Sequence, residues 1–308
     1  MREYKEPRPG KRVLCGPDRP ISRSRHRPGS VSTESATAKG RPTVRRFQEM
    51  KRKGERIVML TAYDALFARV LQEEGIDLIL VGDSLGQVVL GYESTLPVTL
   101  DQMIHHAGAV RRGAPGSFVV VDLPFLSYQV SVDETIRNAG RVLKETGVQA
   151  VKLEGGDPRT CGMVEALVTA GIAVMGHLGL RPQSIHALGG YRVQGRGERE
   201  ADELIAQARA LEAAGVFALV LELVPAELAE EVTRALRIPT IGIGAGVGCD
   251  GQVLVLYDAL GLNGDFQPRF LKRFADLERA TREGVRAYAR EVRDGTYPGP
   301  EHTFRRDA

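Results

Sequence analysis

Cysteine is scarce in this 308-residue chain. Cys15, Cys161 and Cys249 are odd in number, far apart and outside any CxxC spacing, so neither a disulfide framework nor a thiolate zinc site is expected. No apolar run approaches the roughly 18 residues that a membrane helix needs. No opening stretch follows the charged–apolar–small order of a signal peptide. Free thiols and the lack of a span together lead us to expect a cytoplasmic protein with no membrane partner. No internal repeat stands out. What remains is ordinary for a globular chain, with 43% hydrophobic and 26% charged residues.

The net charge of +3 hides an asymmetry. Residues 1–46 carry 13 lysines and arginines against 4 acidic residues, and residues 47–308 carry 29 against 35. The tail also holds six of the sixteen prolines and almost no apolar periodicity. Residues 1–42 are therefore expected to be a disordered basic extension. It reads either as a tether for nucleic acid or membrane, or as an inert upstream stretch. The acidic body, 43–308, argues against a nucleic-acid partner.

From residue 47 onward, short apolar runs alternate with longer amphipathic ones. Strands are expected at Ile57–Thr61, Leu78–Asp83, Phe118–Leu123, Ala150–Glu154, Ala173–His177, Ala218–Leu223, Thr240–Gly244 and Val253–Leu256. Helices are expected at Thr99–Arg112, from Ser131 (whose Ser-Val-Asp-Glu resembles a capping box), at Arg159–Ala170, Arg199–Ala214 and Pro225–Arg237, and at Arg269–Arg293. The strands are apolar throughout, the mark of strands covered on both faces. Eight of them over about 250 residues match an α/β fold of the (βα)8 TIM-barrel kind. A doubly wound open sheet competes, because the link from strand seven to strand eight carries little helix signal.

Polar residues concentrate at the C-terminal ends of these strands: Asp83, Asp122, Lys152 with Glu154, His177 and Glu222. Barrel active sites are built on that rim. One aspartate there is an ordinary cap, but five strands ending this way are not. Carboxylates crowded near one axis repel and lose hydration, a cost that a divalent cation removes. Asp83, Asp122 and Glu154 are hard oxygen donors suited to Mg²⁺. A 2-oxo acid could chelate such an ion, which would polarise the ketone and acidify the adjacent C–H. Glu222 is the candidate base, since its neighbours in "LVLELVP" are apolar and desolvation raises a carboxylate's pKa. In "AVKLEGG" (150–156), Lys152 and Glu154 are two apart and share one strand face.

Weaker signals stay open. "GIGAGVG" (242–248) fails GxGxxG in either register and reads better as a tight passage from strand to loop. His105 and His106 read as surface or packing residues. His177 could polarise substrate or bond backbone. Cys161 and Cys249 show no sequence partner for nucleophilic chemistry.

Several stretches together carry a resemblance: "MLTAYDALFA" (59–68), "LVGDSLGQVVLGYESTLPVTLDQMIHHAGAVRRG" (80–113), "VVDLPFLSY" (120–128), "VKLEGG" (151–156), "VMGHLGLRPQS" (174–184), "LVLELVP" (219–225), "IPTIGIGAG" (238–246) and "DGQVLVLYDALGL" (250–262). In one order and register, over about residues 43–275, they resemble the ketopantoate hydroxymethyltransferase family. The resemblance implies a Mg²⁺-dependent (βα)8 barrel of the phosphoenolpyruvate/pyruvate superfamily type. It implies transfer of a one-carbon unit from 5,10-methylenetetrahydrofolate to 3-methyl-2-oxobutanoate, giving 2-dehydropantoate for pantothenate and coenzyme A synthesis. It places Asp83, Ser84, Asp122 and Lys152 on the oxo acid, Asp83, Asp122 and Glu154 at the metal, and Glu222 as proton acceptor. It also implies a homo-oligomer, a decamer. The competing enzyme is a 2-oxo-acid C–C lyase of the same superfamily, but its catalytic loop cysteine in a KKCGH-like stretch has no counterpart here. A passive barrel with a nucleic-acid-binding tail is the non-enzymatic alternative.

Overall fold

A computed structural model describes residues 42–306, so the extension expected at 1–42 lies outside the described residues except for Pro42. Eight parallel strands close into a barrel in chain order. They are β1 (Ile57–Thr61), β2 (Leu78–Val81), β3 (Phe118–Asp122), β4 (Ala150–Lys152), β5 (Ala173–Gly179), β6 (Ala218–Glu222), β7 (Thr240–Ile243) and β8 (Gly251–Leu254). Because β1 pairs with both β2 and β8, the open-sheet alternative is set aside.

The helices are α1 (Val44–Lys53), α2 (Ala65–Glu73), the short α3 (Leu85–Val88), α4 (Leu100–Gly113), α5 (Val132–Thr146), α6 (Pro158–Thr169), the short α7 (Ile185–Leu188), α8 (Glu198–Ala214), α9 (Ala226–Ala235), the short α10 (Leu256–Ala259) and α11 (Leu277–Arg293). Thr99 starts α4 with a full capping box to Gln102. At α5, Ser131 Oγ accepts from the Glu134 amide at 3.2 Å, the forward half of such a box.

Two apolar layers follow from strands covered on both faces. Outward residues such as Val151, Leu153, Val119 and Val121 pack with the helices. Inward residues such as Met59, Leu80, Val120 and Met175 fill the barrel. Helix α1 closes one mouth, with the buried Phe47 edge-on to Phe118, centroids 5.1 Å apart.

Two expectations are corrected. Strand β8 lies two residues earlier than Val253–Leu256, because Gly251 and Gln252 join the ladder while Leu256 opens α10. Neither residue type favours strands, so the pattern hid them. Between β7 and β8 there is no helix, as the weak signal implied. The last helix begins at Leu277 rather than Arg269. Pro268 precedes a turn, Phe270 and Leu271 face the barrel mouth, and Asp276 caps the helix through the Arg279 amide at 3.2 Å.

Candidate active site

The period of two carries past the end of β4. Lys152 and Glu154 line a cavity of about 170 Å³ at the C-terminal mouth, while Val151 and Leu153 join the outer layer. Asp83, Ser84, Asp122, His177 and Glu222 line the same cavity, so the structure brings every sequence-derived site residue into one place. Asp83 follows Gly82, two residues beyond the end of β2. A Cβ on Gly82 would stand 2.8 Å from Ser84 Oγ, so a side chain there would displace that hydroxyl.

Lys152 Nζ is 3.1 Å from Asp122 Oδ1 and 3.1 Å from His177 Nδ1. The first contact is an ion pair by distance whose angles miss a hydrogen bond, and Asp122 Oδ1 is left buried without one. Asp122 Oδ2 accepts from the Asp83 amide at 3.1 Å. His177 Nδ1 lies 3.5 Å from Glu154 Oε1, and its Nε2 lies 3.3 Å from Glu222 Oε2 in a similarly poor alignment. The histidine therefore links side chains rather than bonding backbone.

Burial drives the electrostatics. It lifts Asp83 well above the carboxylate range, and the charges of Asp122 and Glu154 lift it further. Asp122 is raised by burial despite Lys152 beside it. Glu154 is also buried, but His177, Lys152 and the Gln183 amide outweigh that and hold it low. Burial and Lys152 push His177 down, yet Glu154 and Glu222 prevail and raise it. For Lys152, burial is outweighed by Asp122, Glu154 and Asp83, so its ammonium is held above the usual lysine range.

The Glu222 side chain is 17% exposed, the most open of this set. Its sequence neighbours Leu221 and Val224 belong to the outer layer, while Val220 of the same "LVLELVP" stretch lines the cavity with it. Leu223, which follows it, holds a positive φ of 47°, and Leu126, after β3, one of 62°. Strained backbone of this kind collects at functional sites.

Other site residues had no clear sequence signal. Gln183, in the turn after β5, donates from Nε2 to Asp83 Oδ2 at 2.8 Å. Tyr128 Oη lies 3.0 Å from Gln183 Oε1. Tyr63 Oη meets Ser84 Oγ at 2.9 Å, and burial lifts its phenol. Phe270 reaches the cavity from beyond β8 and packs on the "GIGAGVG" passage. There Gly244 has φ +63°, and a Cβ would come within 2.7 Å of Leu223. The tight-passage reading holds. His106 Nδ1 bonds the Tyr63 carbonyl at 2.7 Å, a packing role. Cys161 and Cys249 are free, and burial raises both thiols, the opposite of an activated nucleophile.

A family model described as ketopantoate hydroxymethyltransferase matches residues 41–300. The chain belongs to this family. It is 56% identical over 264 residues to a 3-methyl-2-oxobutanoate hydroxymethyltransferase of Syntrophotalea carbinolica, covering 86% of this chain and 98% of that protein. It is 57% identical over 267 residues to the one from Moorella thermoacetica, covering 87% and 99%. Among solved structures, a 2,3-dimethylmalate lyase of the PEP mutase/isocitrate lyase superfamily shares the barrel. Its TM-score is 0.53 at 19% identity, over 85% of this chain and 91% of that one. A phosphoenolpyruvate phosphomutase from Streptomyces platensis subsp. rosaceus gives 0.57 at 15% identity, over 86% and 92%. The chain is thus a member of a transferase family on a closed (βα)8 barrel. No helix among the described residues is long and apolar enough to cross a membrane.

Proposed function

We propose that this enzyme moves a hydroxymethyl unit from 5,10-methylenetetrahydrofolate to 3-methyl-2-oxobutanoate, giving 2-dehydropantoate for pantothenate synthesis in the cytoplasm. The observation that carries the proposal is the convergence of Asp83, Asp122, Lys152, His177 and Glu222 in one cavity of a chain from this family.

The donor set fits Mg²⁺. Asp122 Oδ1 is buried and lacks a hydrogen bond, and burial together with the charges of Asp122 and Glu154 lifts Asp83. Among the described residues no three His, Cys, Asp or Glu side chains form a ligand group. Asp83 and Asp122 would therefore hold the ion directly and Glu154 through water, since Mg²⁺ keeps several waters and few protein ligands. Bound there, it supplies Lewis-acid polarisation of the substrate ketone.

The chain's own residues do the rest. Lys152 and Ser84 hold the oxo acid, with Lys152 facing its negative charge. Val220, Ile243, Val253 and Phe270 give the branched carbon an apolar wall. Glu222 Oε2 takes the proton from C3, and His177 Nε2, 3.3 Å away, orients that carboxylate. The carbon then attacks the folate-borne one-carbon unit, water replaces the folate nitrogen on that unit as the hydroxyl, and tetrahydrofolate leaves with the C3 proton and the second water proton on its two freed nitrogens.

Coupled turnover of 3-methyl-2-oxobutanoate with methylenetetrahydrofolate, with and without Mg²⁺, tests the reading. Product formation that needs both supports it. A folate-independent cleavage product would establish the lyase alternative instead.

The partners are the oxo acid, the folate and further copies of the chain, in a decamer. Support for self-association comes from α11, which buries no residue, and from the outer face of β1, where Val58 stays 47% exposed.

A further inference from the structure

Gln183 lies outside every strand, in the 3-10 turn Pro182–Ser184 after β5, yet it is 5% exposed. All of its side-chain hydrogen-bonding capacity is used. Its Nε2 donates one hydrogen to Asp83 Oδ2 at 2.8 Å and the other to the Leu123 carbonyl at 2.9 Å. Its Oε1 accepts from Tyr128 Oη at 3.0 Å and from Gln129 Nε2 at 3.3 Å. Turning the amide over would set its oxygen against two acceptors, so the network fixes its orientation. The backbone N–H of the same residue donates to Glu154 Oε2 at 3.1 Å.

One residue therefore grips one oxygen of each of two carboxylates that follow different strands, β2 and β4. We propose that Gln183 is the positioning residue that sets Asp83 and Glu154 for a divalent cation, leaving Asp83 Oδ1 and Glu154 Oε1 for the ion and its water. The inference rests on the cation reading given above.

The chemistry of the amide suits this task. Asp83 lies beyond the ladder of β2, so no strand pairing fixes its side chain. Burial and like charge work against it. An arginine or lysine in place of Gln183 would hold the carboxylate but cancel the charge that attracts the cation. A glutamine restrains it and leaves the charge intact. Carboxylates that ligate metals are commonly held this way, and loss of such a partner typically weakens metal binding by about 10–100-fold.

The test is Mn²⁺ titration of the full chain, followed by electron paramagnetic resonance, without substrates. The fold is checked by circular dichroism. Gln183→Met keeps the length of the side chain and removes its hydrogen bonds, and we expect Mn²⁺ binding about 10–100-fold weaker. We also expect the Mg²⁺ activation constant to rise by a similar factor, with kcat at saturating Mg²⁺ changed far less. A residue that merely stabilised the fold would lower the melting temperature without moving the Mn²⁺ constant. Unchanged Mn²⁺ affinity in the folded variant overturns the proposal. If Gln183→Met does not fold, Tyr128→Phe removes the hydroxyl that meets Gln183 Oε1 and also bonds the Glu154 backbone. It should shift the Mn²⁺ constant less, in the same direction, and no shift there also overturns the proposal. A wild-type chain that binds no Mn²⁺ overturns the cation reading itself, a separately readable result.

Discussion

Lys152 Nζ and His177 Nδ1 meet at 3.1 Å across the β4–β5 pair. An ammonium can only donate, so in the neutral ring Nδ1 accepts from Lys152 and the proton sits on Nε2, facing Glu222. The same ammonium faces Asp122, and Asp83 and Glu154 add to its field. Lys152 is thus the positive centre among three buried carboxylates.

Replacing it with methionine should leave those carboxylates uncompensated. Removing one partner of a buried pair costs about 3–5 kcal/mol, and Lys152→Met should lose stability of that order in urea unfolding at neutral pH without Mg²⁺. Added Mg²⁺ should then raise the unfolding midpoint of the variant more than that of the wild type. A variant as stable as wild type without Mg²⁺ would contradict this account of Lys152.

Glu222→Gln separates binding from proton removal. The amide keeps the shape of the side chain but cannot accept the C3 proton. General-base contributions are typically about 10²–10⁴-fold, so C3 deuterium exchange of the oxo acid should fall by that range while oxo-acid binding persists. Exchange at the normal rate, followed by NMR, would remove Glu222 as base.

The barrel was legible because its strands are buried on both faces, which turns each into an apolar run. The rim residues were legible because a charge at the end of such a run has no packing explanation. Lys152 and Glu154 obey strand periodicity, so their shared face could be read directly. Gln183 and Tyr128 could not be found that way. They sit in loops, where polar residues are expected, and only folding brings Gln183 to Asp83, 100 positions away in sequence. Around Glu222, strand periodicity sends Leu221 to the outer layer and leaves Val220 on the cavity side. The start of α11 was misplaced because Phe270 and Leu271 serve the cavity rather than a helix face.

Asp157 offers a pH test away from the cavity. It caps α6, accepting from the amides of Arg159 at 3.0 Å and Thr160 at 3.2 Å. These bonds and the Thr160 hydroxyl outweigh partial burial and hold its pKa below the usual aspartate range. A carboxyl depressed in the folded state contributes stability above its unfolded pKa and loses it as pH falls through the folded value. Asp157→Ala should cost about 1 kcal/mol at neutral pH. That difference should shrink on acidification below the ordinary aspartate range, as measured by denaturant midpoints across pH. A constant difference would mean that the charged cap is not its source.

Self-association should depend on α11. Val285, Tyr288 and Val292 recur at intervals of three and four along one face of the helix, and the first two are each 61% exposed. A charged helix that buries nothing against its own barrel gains little from an apolar stripe, whereas against another copy the stripe leaves water. On the outer face of β1, Val58 is a further exposed apolar side chain. Val285→Asp combined with Tyr288→Ser should therefore lower the mass seen by light scattering while the circular dichroism of the barrel stays that of wild type. An unchanged mass would place the contacts between copies elsewhere, and the stripe on α11 would have no part in assembly.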